Sequence, residues 1–232
     1  MLYERLAKET ADARATFMEL PLVTAILGLS AQKAPSRDSE HREMLRHVYR
    51  RFLEESYHHV RAAAKVYALA GSRVDEGNEP FREWLLQHAV DEYGHHEWIL
   101  NDLRALGVDP ADVTRSKPSP ACAALVGYMY YVAGVDNPIG ILGDSYVIEG
   151  LSQLFATQLA GSMKDHLGVG DDAVTYLERH GRADQAHMEE FKILVDSHIR
   201  RDRDLTDIIH VSRVEFQLYG WIVQELQAPS PV

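Results

Sequence analysis

Cysteine is nearly absent from this chain of 232 residues, which holds only Cys122. A single thiol closes no internal disulfide and excludes a cysteine-rich zinc knot. Basic charge is scarce relative to acid: 24 Lys and Arg stand against 35 Asp and Glu, a formal charge of -11. With no basic cluster either, nucleic acid is not the expected partner. Long apolar runs are missing too. The longest, such as ACAALVGYMYYVAGV, are too short to span a bilayer comfortably, so no membrane partner is expected. The opening segment MLYERLAKETADARATF has early acidic residues and no apolar stretch of secretory type, so the expected location is the cytoplasm. Alternating strand patterns bounded by hairpin turns and solenoid-period repeats are also absent.

What the sequence does have is helical periodicity almost everywhere. Helices are expected over about 2–18, 21–28, 38–70, 80–106, 120–134, 138–166 and 171–199, with a last one to about 227. Pro21 and Pro80 suit helix starts, Gly71 and Gly107 suit stops, and SAQKAPSRD and VDPADVTRSKPSP read as breaker-rich connections. The tail APSPV is expected to fray. The fold class is therefore all-α: one domain over residues 1–232, with seven or eight helices and no domain-sized linker.

Three places carry chemistry. In the helix expected over 171–199, the stretch HGRADQAH sets His180, Asp184 and His187 within about 60° of one another on one stripe. The helix expected over 80–106 carries Glu92 and His95, a Glu-x-x-His pair one turn apart on one face. The helix expected over 138–166 carries a lone acid, Glu149, in the largely apolar surroundings of DSYVIEGLSQLF. An acid there is costly unless it is paired, protonated or bound to a cation. Each piece has an ordinary reading as well. Lone Glu-x-x-His pairs are common, and Glu55 and His58 form a decoy of the same spacing; Glu149 could pair with an arginine. The combination is more specific: three carboxylates and three imidazoles from three helices suit a pair of iron or manganese ions, and oxygen redox chemistry would select iron. Two divalent ions against three carboxylates would leave about one net positive charge, which favours an anionic guest.

The ordered set Glu-x-x-His, lone Glu, His-x-x-x-Asp-x-x-His on an all-α chain of this length resembles the heme-oxygenase-like di-iron oxidases and oxygenases. These are relatives of the thiaminase-II-like (TenA) and pyrroloquinoline-quinone-synthase-like (PqqC) proteins. The resemblance implies a seven-helix bundle with Glu92, His95, Glu149, His180, Asp184 and His187 around two labile iron ions, or manganese, and no heme. The first helix offers no histidine for heme ligation, the first in the chain being His41. It further implies an O2-dependent oxidation or cleavage of a small molecule such as a fatty acid, an amino acid or an amine, in a homodimer. His58, His59, Asp91 and Tyr146 are candidates to support the ligands or line the substrate site. Two other readings stay open: a thiaminase-like hydrolase using Cys122 as nucleophile, and a non-enzymatic small-molecule-binding protein of the same fold.

Overall fold

The computed structural model describes residues 1–32, 34 and 39–227. The tail expected to fray, 228–232, and most of the connection before residue 39 lie outside the described residues. The described residues form eleven α-helices: α1 Leu2–Glu9, α2 Ala11–Met18, α3 Pro21–Leu27, α4 Glu40–Arg73, α5 Glu79–Asp91, α6 His96–Ala105, α7 Pro110–Arg115, α8 Pro120–Gly134, α9 Leu142–Leu167, α10 Thr175–His198 and α11 Asp202–Glu225. Short 3₁₀ turns occupy Leu29–Ala31, Pro138–Ile141 and Asp171–Ala173, and no strand occurs among the described residues.

Local chemistry sets the helix starts. The side chains of Ser39, Asp109 and Ser119 accept hydrogen bonds from the backbone N–H groups of Arg42, Ala111 and Cys122, which open α4, α7 and α8. Proline occupies the first turn of α3, α5, α7 and α8, where its missing N–H costs nothing.

Two helices expected to be continuous are broken. The first divides at buried Thr10, whose hydroxyl donates to the Leu6 carbonyl at 2.8 Å and competes with the backbone ladder. The other expected helix, 80–106, ends as α5 at Asp91 and restarts as α6 at His96. The turn between them holds Gly94 at φ +94°, a conformation natural to glycine. This second break places Glu92 and His95 in a turn rather than along a helix face.

The apolar interior is divided into layers. One cluster takes Ala63, Val66 and Ala70 of α4, Phe81, Leu85 and Ala89 of α5, Val147 of α9, and Met188, Phe191 and Leu194 of α10. A second takes Leu53, Tyr57 and Val60 of α4, Ile99 and Leu103 of α6, Ala156 and Ala160 of α9, and Tyr176 and Leu177 of α10. Four stretches of chain thus cross from one apolar layer to the other. At each crossing stand polar residues: His59 on α4, Glu92 and His95 between α5 and α6, Glu149 on α9, and His180 to His187 on α10. Helices α9 and α10 approach closely there, since a Cβ at Gly181 would lie 2.5 Å from Thr157 Oγ1. No helix among the described residues is long and apolar enough to cross a membrane.

Candidate metal centre

The six residues read from the sequence converge at this polar waist, with a seventh. His88 Nε2 lies 3.0 Å from Glu149 Oε1, and His187 Nδ1 lies 3.5 Å from Glu149 Oε2. These three residues form one cluster. Glu92, His95 and His180 form a second, with His95 Nδ1 3.1 Å from Glu92 Oε2 and the rings of His95 and His180 4.8 Å apart. Within each cluster the potential ligand atoms all lie within 4.8 Å of one another. Asp184, fully buried, faces both: Oδ1 is 3.3 Å from His187 Nδ1 and Oδ2 is 3.6 Å from His180 Nδ1. One oxygen toward each cluster is the disposition of a bridging carboxylate.

The fit to cations rests on atoms that lack hydrogen bonds. Both oxygens of Glu149 and of Asp184, Nε2 of His88 and of His180, and Nδ1 of His187 are buried with no hydrogen-bond partner. His88 Nε2 and Glu149 Oε1 are within hydrogen-bond distance, yet the angles are wrong. These atoms crowd together without bonding one another. Buried polar atoms are almost always satisfied, so seven orphans in one layer call for a guest. Stacking holds two of the rings: His88 lies 4.4 Å from the Trp84 ring at 11°, and His95 lies 3.9 Å from Trp98 at 27°.

Without a metal, protons are the local cations. Burial pushes the Glu92 carboxyl up, but the His95 hydrogen bond and the charges of His180 and His88 outweigh it and hold it at about 2. Burial likewise opposes the shift of Asp184, which His180 and His187 hold low. The nearby carboxylates of Asp184 and Glu149 push the His187 imidazole up to about 10. His88 and His180 are raised as well, despite burial that favours their neutral forms, by Glu149 and by Asp184 with Glu92 respectively. No lysine or arginine pairs with any of the three carboxylates among the described residues.

Sequence reasoning missed His88, although a signal was there. His88-x-x-x-Glu92-x-x-His95 has the same spacing as His180-x-x-x-Asp184-x-x-His187. Reading one turn back from Glu92 exposes the duplication.

The four candidate supporting residues fall elsewhere. Asp91 is exposed and accepts from Gln87 Nε2 at 2.9 Å, so it does not orient His95; the helix ends there and its side chain faces solvent. His58 bonds Ser116 Oγ at 2.9 Å through Nε2. His59 Nε2 lies 3.6 Å from Asp144 Oδ1, whose other oxygen accepts from Tyr67 at 2.6 Å. That group reaches the centre only through the edge of Tyr67, whose ring centre is 4.6 Å from that of His88. Tyr146 packs on Phe191 and lies 3.3 Å from Thr10 Oγ1. Cys122 is fully buried, donates weakly to the Glu55 carbonyl at 3.5 Å, and has its thiol pushed well up by burial and by Glu55.

The fold and this layer define an all-helical bundle built around paired histidine and carboxylate clusters. Residues 50–220 match the family of iron-containing redox enzymes with a heme-oxygenase-like fold, and the chain belongs to that family. All seven residues fall inside the matched segment. No curated protein matches the chain. Among solved structures, a domain of unknown function with a heme oxygenase-like fold from Shewanella denitrificans is 22% identical, with a TM-score of 0.79 over 97% of this chain and 91% of that one. A TenA homolog from Pseudomonas syringae pv. tomato is 14% identical, with a TM-score of 0.75 over 97% and 92%. Heme oxygenase-1 from Synechocystis sp. PCC 6803, solved in complex with heme, is 14% identical, with a TM-score of 0.71 over 97% and 91%. These likenesses establish the fold.

Proposed function

We propose that the protein is a non-heme di-iron oxidase or oxygenase that uses O2 to oxidise or cleave a small molecule. The observation that carries this reading is the seven-residue layer with its unsatisfied lone pairs. His88, Glu149 and His187 would hold one ion, Glu92, His95 and His180 the other, and Asp184 would lie across both. Imidazole and carboxylate donors suit iron or manganese, and membership of an iron-containing redox family favours iron. Bound iron would supply electrons for the reduction of O2.

The protein's own contribution is geometric and electrostatic. Three carboxylates offset most of the charge of two divalent cations, and the flanking apolar layers exclude bulk water. Trp84 and Trp98 fix the ring planes of His88 and His95. Protons held on His187, His88 and His180 leave when cations enter, so loading releases acid.

Heme suits this layer poorly, because three buried carboxylates would face an apolar macrocycle unpaired. A thiaminase-like activity has the fold of the Pseudomonas TenA homolog in its favour. Its nucleophile would be Cys122, which is buried with its thiolate disfavoured. A binding role without a metal would leave the orphaned ligand atoms unsatisfied.

The test is metal content and oxygen uptake. Protein loaded anaerobically with Fe(II) should retain about two irons per chain and consume O2 when exposed to it, and Glu149→Ala should do neither. Hemin added to the metal-free protein should give no shifted Soret band. Wild-type protein that takes up no iron, or binds hemin tightly in its place, would defeat the proposal.

A further inference from the structure

A small group of polar side chains stands beside the candidate centre and takes no part in holding an ion. Tyr67 of α4 is buried; its hydroxyl donates to Asp144 Oδ2 at 2.6 Å and accepts from Ser145 Oγ at 2.9 Å. Its ring meets that of His88 at 86°, with the centres 4.6 Å apart. Asp144 is buried too, and no lysine or arginine pairs with it among the described residues. Its second oxygen has no hydrogen-bond partner; His59 Nε2, also without one, stands 3.6 Å away. Other buried tyrosines are placed differently. Tyr49 donates to the Ala173 carbonyl at 2.9 Å, and the Tyr146 hydroxyl lies 3.3 Å from Thr10 Oγ1. Of the three kinds of partner, only the carboxylate is a base at neutral pH.

From this placement we infer that Tyr67 is a redox residue of the centre, giving one electron to the oxidant that the metals form from O2 while its proton passes to Asp144. The inference rests on the di-iron reading and adds a reactive side chain to that site. Electron counting supplies the role. Two Fe(II) ions provide two electrons, full reduction of O2 to water takes four, and a substrate provides the rest. When no substrate is bound, a phenol in contact with a ligand imidazole is placed to supply one. A phenol that lost an electron alone would become an unpaired cation in a buried layer, which is prohibitively costly. The proton must therefore leave with the electron, and a base must already be in place. Asp144 is that base, joined to the phenol by a short, charge-assisted hydrogen bond. In the step the phenol O–H bond breaks, an O–H bond forms on Asp144, and the oxidant is reduced by one electron. The pair passes from one negative charge to none, so no new charge is buried. A purely structural Tyr–Asp pair could lie anywhere in the core; contact with His88 and the lack of a counter-cation set this one apart.

The radical itself can be observed, independently of any turnover. Protein loaded anaerobically with Fe(II) would be mixed with O2, with no substrate added, frozen at successive times and examined by electron paramagnetic resonance. A transient organic radical should appear, and it should narrow in protein grown on ring-deuterated tyrosine. Tyr67→Phe and Asp144→Asn should each lose the signal while iron stays at about two per chain, and Tyr146→Phe should keep it. Placing 3-fluorotyrosine at position 67 retains the hydroxyl and the packing, so it guards against a Tyr67→Phe variant that merely misfolds; it should add a fluorine splitting to the signal. A radical that persists in Tyr67→Phe, or that shows no fluorine splitting, would overturn the inference. Two bound irons and O2 uptake with no tyrosyl signal in the wild type would sink this inference and spare the di-iron reading. Failure to take up iron would sink both.

Discussion

Two buried Glu-x-x-His units of identical spacing meet different fates in this molecule. Glu55 and His58 lie on α4, whereas Glu92 and His95 lie in the turn between α5 and α6. Both oxygens of Glu55 and Nε2 of His58 have partners. Glu55 Oε1 accepts from Arg51 at 2.7 Å and Oε2 from the Ser119 N–H at 3.0 Å, and His58 bonds Ser116. A fixed cation and the start of α8 consume the carboxylate, so the pair is part of the scaffold. Around the second pair the available cations are protons on histidines, and the neighbouring Glu149 and Asp184 have no hydrogen bond at all. Spacing alone therefore does not distinguish a ligand pair from a structural one. The accounting of lone pairs on the surrounding side chains does, since Glu92 and His95 bond each other while their neighbours Glu149 and Asp184 are left without partners.

The sharpest way to break this comparison is to neutralise one acid on each side. Asp184→Asn should abolish retention of both irons, because one oxygen faces each cluster. Glu55→Gln should keep two irons per chain and instead lower stability by roughly 1–3 kcal/mol, since it weakens a buried, fully bonded network. Metal analysis and urea denaturation read the two outcomes. If Glu55→Gln empties the site while Asp184→Asn keeps its iron, the roles assigned here are reversed.

A smaller contrast concerns the histidines. His88→Ala removes a ligand from one cluster only, so iron content should fall from about two to about one per chain. His58→Ala removes a bond to a serine hydroxyl and should leave the metal untouched, with a stability loss on the order of 1 kcal/mol. A full complement of two irons in His88→Ala would remove that residue from the centre and return the set to six.

How much was legible beforehand follows the same logic. The helical class showed in the periodicity, which is local, and six of the seven converging residues showed as motifs within single segments. His88 escaped because its membership depends on contact with Glu149 on α9, and only the repeated spacing with His180 hints at it. The break after Asp91 was also hidden: the apolar period continues through HAVDEYGHHEW, and Gly94 reads as one tolerated glycine rather than a left-handed turn. Asp91 was drawn toward the centre by sequence proximity, but a residue next to a ligand on a helix points about 100° away.

The smallest effect tests whether protons occupy the places meant for metal. In the metal-free protein His187 is raised from its ordinary 6.5 to about 10, so its stabilising contribution is complete below about pH 6.5 and fades as the pH rises toward 10. Glu92 is depressed from 4.5 to about 2, so its contribution is complete above about pH 4.5 and is lost as the pH falls toward 2. From these two groups the metal-free protein should be most stable between about pH 4.5 and 6.5, with Tm falling by several degrees between pH 6.5 and 9. His187→Gln should flatten the alkaline decline, and His58→Gln should not. Loading with metal should flatten it too, since cations then do what the protons did. An alkaline decline that persists unchanged in His187→Gln would mean that the proton on that imidazole is not what balances Asp184 and Glu149.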